Sequence, residues 1–223
     1  MPRWDVRKIT YRAGLIGSGA IALGSLLTAL AYHGRAGEAY SVLNHFVSEL
    51  GEVGVSAWAE VFNASLIVGG LSLTVFMLGL AVLLGGWFGI LFGVLGSVAG
   101  ISGALVGFFP MNDLASHTTV ALTFFNTGWI VTGLFALYVL LSRRKLFPRW
   151  LAIPGIVATI SFIAFLNSPQ PGSGVDLASP QARPDFMAIA ALEWLVIISV
   201  LAWAALVSIS LWRMSPQSEA GPG

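Results

Sequence analysis

Long apolar stretches separated by short polar breaks dominate the pattern of this chain. Six stretches reach the roughly 20 residues that a helix needs to cross the hydrocarbon of a bilayer; they lie at about 13–32, 57–84, 87–109, 118–141, 150–167 and 186–212. Apolar and polar residues do not alternate within them, so the pattern favours helices over the strands of a β-barrel. The sequence therefore predicts an all-α membrane protein with a basic amino-terminal segment (1–12), a six-helix transmembrane domain (13–212) and a flexible tail (213–223).

The basic residues predict how these helices are oriented. If the amino terminus is cytoplasmic, nine of the eleven Lys and Arg residues fall on the cytoplasmic side, and only Arg35 and Arg183 fall outside. This distribution follows the positive-inside rule. It arranges the helices as three hairpins that each run in–out–in, with both termini in the cytoplasm.

A weak internal repeat supports the hairpin arrangement. The segment 62–71 matches 125–134 at Phe, Asn, Ile, Val, Gly and Leu, and Leu192-Glu193 takes the Phe-Asn place in the last stretch. The alternative is chance, because apolar helices use few residue types. A genuine repeat would put Asn63, Asn126 and Glu193 at one depth, where polar groups are costly and normally face the bundle interior.

Composition excludes several function classes. Only 9% of the 223 residues are charged and 57% are hydrophobic. Soluble domains carry about 25% charged residues, so this composition excludes a soluble globular enzyme. A net charge of +1 lacks the basic footprint of a nucleic-acid-binding protein. Cysteine is absent, which excludes disulfides, thiolate catalysis and Cys-ligated metal.

Glycines repeat along the third stretch at alternating spacings of four and three residues. At helical pitch they form one continuous face, which lets a neighbouring backbone approach closely and predicts tight helix packing. The six glycines are Gly89, Gly93, Gly96, Gly100, Gly103 and Gly107.

The first outer loop carries candidate chemistry. Apolar residues recur at helical spacing between residues 41 and 51, which predicts a short amphipathic helix on the outer interface or over the bundle mouth. Such a helix places Asn44 one turn from Ser48, and His45 one turn from Glu49. The alternative is a lid helix whose polar side chains only cap neighbouring segments.

The start of the fourth stretch offers a second cluster, in which Asp113 and His117 are four residues apart. The carboxylate would orient the imidazole or join it on a metal. The alternative is that Asn112 or Asp113 simply caps the helix. Together with His33 and His45, this pair has the ligand types of a catalytic zinc site. No cofactor is predicted, because no His-Glu-x-x-His pair is present. A divalent metal stays an open alternative.

The order of these motifs resembles a known family. Asn44-x-x-x-Ser48-Glu49-Leu50-Gly51, Phe62-Asn63, Phe109-Pro110 and Asp113-x-x-x-His117 are similar to the bacterial and archaeal six-span membrane proteins called domain of unknown function nine-hundred-ninety-eight. The resemblance covers about 15–211. It implies an integral protein of the cytoplasmic membrane without an established activity, transfers no catalytic residue, and favours grouping Asn44, Ser48, Asp113 and His117.

Three functions stay open. The leading hypothesis is an outward-opening pocket, roofed by the 41–51 helix, that binds or transports a small polar solute, a cation or a lipid headgroup. The second is a metal-dependent intramembrane hydrolase or transferase acting on lipids, and the third is a structural subunit of a larger membrane complex. The expected partners are the lipid bilayer, a small ligand or lipid, and other membrane proteins, with no nucleic acid. The candidate ligand-binding residues are Asn44, His45, Ser48, Glu49, Asn63, Asp113, His117, Asn126 and Glu193.

Overall fold

Six α-helices make up almost all of the computed structural model, which describes residues 3–144, 146–169 and 183–214. They are α1 (Arg3–Ala31), α2 (Ala59–Leu84), α3 (Gly86–Phe108), α4 (Leu114–Leu141), α5 (Ala152–Leu166) and α6 (Ala188–Arg213). Two short 3-10 helices cover Val47–Gly51 and Arg149–Leu151, and the described residues contain no strand. Each long helix, α5 together with the 3-10 turn before it, is long and apolar enough to cross a membrane. The prediction of an all-helical, multi-pass membrane protein is confirmed.

The first helix begins ten residues earlier than the apolar pattern indicates. Most of the basic segment 1–12 is helical and continuous with α1. The Arg7 guanidinium donates to the carbonyl oxygen of Met214 at 2.7 Å, so it satisfies an acceptor just past the last turn of α6, where a cation is also favoured by the helix dipole. The predicted flexible tail lies outside the described residues beyond Met214.

The helices form a ring. Each helix packs against the helices before and after it in sequence, and α6 packs against α1 to close the ring. Fully buried aromatic side chains fill the interior: Trp203 of α6 meets Phe76 of α2 at a ring distance of 5.8 Å and Phe135 of α4 at 5.3 Å, both edge-to-face. This core brings α2, α4 and α6, which are not adjacent in sequence, into contact.

The glycine face of α3 lies mainly against α2. A Cβ on Gly93 would come within 2.8 Å of the Ala81 Cβ, and one on Gly96 within 2.7 Å of the Met77 Cβ. A Cβ on Gly89, Gly100 or Gly107 would come closer still to atoms of Ala81, Thr74 and Asn63 of α2, respectively. Gly103 differs, because its nearest neighbour is the Phe124 ring of α4 at 3.6 Å. Side chains larger than hydrogen would therefore push α3 away from α2 along most of this face.

The connection between α1 and α2 does not contain the predicted amphipathic helix at 41–51; that prediction is wrong. Turns over 42–45 lead into the 3-10 helix Val47–Gly51, with Phe46 extended between them. The reason is a local side-chain bond: the Glu49 Oε1 accepts the Phe46 N–H at 2.7 Å. Val47 and Leu50 are buried at 4% and 0% exposure, so this segment inserts into the bundle.

Candidate functional site

The α1–α2 connection folds over one end of the ring, here called the polar end. The backbone of Val53 exchanges two hydrogen bonds with the Asn112 amide, at 2.8 and 3.0 Å, and the Met187 N–H donates to the Leu43 carbonyl at 2.8 Å. The connection is thus fastened to the α3–α4 turn on one side and to the start of α6 on the other.

The 3-10 helix Val47–Gly51, here called the plug, is held at both ends by side chains from transmembrane helices. Glu193, in the second turn of α6 and 8% exposed, accepts the Val47 N–H at 2.7 Å. Asn63, in the second turn of α2, donates its amide to the Gly51 carbonyl at 2.9 Å. Two buried polar residues of the transmembrane helices therefore satisfy the backbone of the plug.

A buried ion pair locks the plug from the side. The Arg183 guanidinium contacts both carboxylate oxygens of Glu49 at 2.9 Å, and the two side chains are 6% and 7% exposed. Arg183 also donates to the Asn44 carbonyl at 2.7 Å. Burial alone would lower the pKa of Arg183, but its hydrogen bonds to Glu49 and the charge of that carboxylate outweigh burial and raise it. Arg183 was not a predicted site residue, although as an arginine against the positive-inside rule it carried a signal.

His45 lies in an aromatic cluster behind the plug. Its ring is 3% exposed and lies 5.5 Å from Tyr32 and 5.1 Å from Tyr40, measured between ring centroids. Burial lowers the pKa of His45 despite the nearby Glu49 carboxylate, which favours the neutral ring. Burial also raises the pKa of Tyr40, whose protonated hydroxyl donates to the Phe46 carbonyl at 2.8 Å and accepts from the Trp194 indole at 2.9 Å. Through the Tyr40 hydroxyl the cluster is hydrogen-bonded to the residue that precedes the plug.

A cavity of about 80 Å³ lies under the plug. Its polar lining comes from three separate elements: Ser48 of the plug, His117 of α4 and Glu193 of α6. The remaining walls are apolar and come from α1, α2, α3, α4 and α6; they include Ile21, Leu66, Leu73, Val106, Phe124 and Val200. His117 is 7% exposed, and its Nδ1 lies 2.8 Å from the Phe109 carbonyl oxygen.

A second pocket, of about 170 Å³, borders the plug at Glu49 and is lined mainly by charged groups. Arg35 and Glu52 form an ion pair there that is largely exposed on the arginine side. Its polar lining consists of Tyr32, Arg35, Glu38, Glu49, Glu52 and Arg183. Both arginines of this pocket are bound by carboxylates within it.

Three predicted site residues do not join this arrangement. Asn126 lies twelve residues into α4, whereas Asn63 and Glu193 lie four and five residues into their helices. Its side chain is exposed and bonds to its own helix at the Leu122 carbonyl, 2.7 Å away, so the expectation that it faces the interior at the same depth is wrong. Asp113 is exposed and caps α4 by accepting the Ser116 N–H at 3.2 Å. Hydrogen bonds from the Ser116 side chain and from the Ser116 backbone lower the pKa of Asp113. His33 is exposed.

The candidate metal ligands are dispersed. His45 is in the aromatic cluster, His117 borders the cavity, and Asp113 serves as a helix cap. Within the described residues, no three His, Asp or Glu side chains form a group able to hold a metal ion. The geometry gives the hydrolase hypothesis no support, and a bound divalent metal stays an untested alternative.

Comparison with known proteins identifies the family. The family model described as "Protein of unknown function (DUF998)" matches residues 15–210. A search of the curated proteins and a search of the solved structures each find no match. The matched range runs from the first half of α1 to the last turn of α6 and includes the plug and the cavity lining. The chain therefore belongs to the DUF998 family of membrane-spanning proteins of unknown function.

Proposed function

We propose that this protein binds a small ligand with a polar group in the cavity under the plug, and that the polar end faces the outside of a bacterial or archaeal cytoplasmic membrane. In this orientation the helices form three in–out–in hairpins and both termini are cytoplasmic. The support for it is the distribution of charge: nine of eleven Lys and Arg residues are then cytoplasmic, as the positive-inside rule requires.

The observation that carries the proposal is the convergence of Ser48, His117 and Glu193 on one cavity. Ionisable residues inside transmembrane segments are costly and usually mark a functional site. A cavity with mostly apolar walls and a few converging polar groups is the usual form of a small-molecule site. A small polar solute, a cation or a lipid headgroup all have a polar group that these three side chains can bind.

The plug controls access to this cavity from the polar end. Val47 and Ser48 line the cavity, while Glu49 of the same 3-10 helix borders the charged pocket. Binding from the outside therefore requires the plug to shift, and the contacts that oppose this shift are the Glu49–Arg183 ion pair and the bonds from Glu193 and Asn63. Transport would require a further path toward the cytoplasm; binding does not.

Filling the cavity tests the proposal. A Cβ on Gly103 meets the Phe124 ring at 3.6 Å and no backbone atom within 4 Å, and Gly103 lines the cavity, so Gly103→Leu should place its side chain in the cavity. Gly19→Leu is the matched control, since a Cβ at Gly19 has no neighbour within 4 Å. Thermal unfolding of the purified proteins is measured with propylamine, propan-1-ol, propionate and phosphoethanolamine.

At least one probe should raise the Tm of the wild type and of Gly19→Leu, because a ligand that binds only the folded state stabilises it. The same probe should leave the Tm of Gly103→Leu unchanged. If no probe shifts the Tm of the wild type, or if the shift persists in Gly103→Leu, the proposal is wrong.

A further inference from the structure

We infer that the ligand of this cavity carries a primary ammonium group on a short apolar body. The inference rests on the proposed function and goes further, because it identifies the chemical class of the ligand. It follows from the hydrogen-bonding capacity of the polar lining, from the charge of Glu193 and from the size of the cavity.

The polar lining presents acceptors. A backbone carbonyl has no proton to give, so the 2.8 Å contact between the Phe109 oxygen and the His117 Nδ1 requires the proton on Nδ1. The Nε2 of a neutral imidazole is then an acceptor. In its ionised form Glu193 is also an acceptor, and the Ser48 hydroxyl, which is hydrogen-bonded to Glu193, keeps lone pairs that can accept. A ligand that binds all three groups must therefore supply several donors.

The Glu193 carboxyl group favours a cation, because a bound positive charge stabilises its ionised form. Among the described residues the ion pairs are Arg35–Glu52 and Arg183–Glu49, and neither includes Glu193. Its Oε2 accepts the Val47 N–H at 2.7 Å, and the Ser48 backbone and side chain also hydrogen-bond to the carboxyl group, so these donors are neutral. A buried carboxylate is stable when it is paired with a positive charge and hydrogen-bonded. An ammonium group meets both conditions and offers three donors.

The size of the cavity limits the rest of the ligand. An apolar cavity of about 150 Å³ accommodates benzene, so a cavity of about 80 Å³ suits an ammonium group with only a few carbon atoms. The walls beyond the polar lining are apolar and match such a body. Two sources share this chemistry: a free small amine, and the ethanolamine headgroup of a phospholipid.

Isosteric probes test the ligand class on the intact protein. Binding of propylamine, propan-1-ol, propionate and propyltrimethylammonium to the wild type in phosphatidylcholine nanodiscs is measured by calorimetry. Propylamine should bind about tenfold or more tightly than each of the other three, because only it has both positive charge and N–H donors. In Glu193→Gln the affinity for propylamine should fall by about tenfold, whereas Gly19→Leu should bind it like the wild type.

Each outcome separates the two proposals. If the alcohol, the carboxylate or the quaternary amine binds as tightly as propylamine, the ammonium inference is wrong and the proposed function stands. If none of the probes binds, the proposed function is wrong as well. The wild-type series does not depend on the folding of Glu193→Gln, so a misfolded variant leaves the test decisive.

Mass spectrometry identifies the source of the ammonium group, after purification of the protein from membranes of equal phosphatidylethanolamine and phosphatidylcholine content. Selective retention of phosphatidylethanolamine indicates the lipid headgroup. Propylamine binding without such retention indicates a free amine.

Discussion

Arg183 and Glu49 join two parts of the chain that are far apart in sequence. One lies just before α6 and the other in the plug, and their side chains form a bidentate pair almost free of solvent. A second ion pair in the same pocket, Arg35–Glu52, has an arginine side chain that is 51% exposed. The molecule thus contains a buried and an exposed pair near one another, which allows their contributions to stability to be compared directly.

Removing one partner of the buried pair should be far more costly than removing one partner of the exposed pair. Arg183→Met leaves the Glu49 carboxylate buried without its cation and should lower the free energy of unfolding by about 3–5 kcal/mol. Arg35→Met should lower it by less than about 1 kcal/mol. Unfolding by denaturant titration in mixed micelles measures both. The double variant Glu49→Leu/Arg183→Met should recover only part of the loss, because it removes the unpaired charge but also the bonds to the Phe46 N–H and the Asn44 carbonyl. Equal costs for Arg183→Met and Arg35→Met would contradict the assignment of the pair as the lock on the plug.

Sequence reasoning at the residue scale works where a side chain has no local partner. Glu193 was identified because a carboxyl group in an apolar helix needs a partner from elsewhere, and the structure provides the plug backbone. The prediction for Asn126 is wrong because its amide donates to the Leu122 carbonyl of its own helix. This local bond satisfies the side chain without a partner from the bundle interior. Asn63 and Asn126 have similar sequence surroundings, so only tertiary contacts distinguish them.

At the scale of the elements, α3 shows what a periodic pattern can and cannot predict. The spacing of its glycines predicts a close-packed face, but it does not identify the neighbour. In the structure α2 is the neighbour of five glycines, and Gly103 is beside the cavity. The plug is the opposite case: apolar spacing predicted an α-helix at 41–51, and bonds from Glu49, Glu193 and Asn63 instead stabilise turns and a 3-10 helix.

Adding one methyl group to a glycine of α3 should distinguish the face packed against α2 from the position beside the cavity. A Cβ on Gly100 would lie 3.0 Å from the Cα and the backbone nitrogen of Thr74, atoms that move only if α2 moves. Gly100→Ala should therefore lower the free energy of unfolding by about 1–3 kcal/mol. Gly103→Ala is the control on the same helix and should be neutral or stabilising by up to about 1 kcal/mol, because alanine is the better helix former. A loss of stability in Gly103→Ala as large as in Gly100→Ala would show that α3 does not pack as described.

For the whole molecule, the apolar pattern predicts the number of helices and nearly all of their boundaries, because the bilayer imposes length and hydrophobicity. Closure of the ring by α1 and α6 could not be read from the pattern, since it depends on how side chains in all six helices fit together. Which end of the ring faces the outside depends on the charges of the loops on either side of the membrane. This orientation decides whether the cavity communicates with the outside.

The absence of cysteine from the chain makes the sidedness directly measurable, because an introduced cysteine is the only thiol. Ala36 lies in the exposed part of the α1–α2 connection, and Ser142 follows α4 at the opposite end of the ring. In intact cells a membrane-impermeant maleimide should label Ala36→Cys and leave Ser142→Cys unlabelled. After permeabilisation both should be labelled, which controls for accessibility. The reverse pattern in intact cells would put the plug on the cytoplasmic side, and the ligand would then have to come from the cytoplasm.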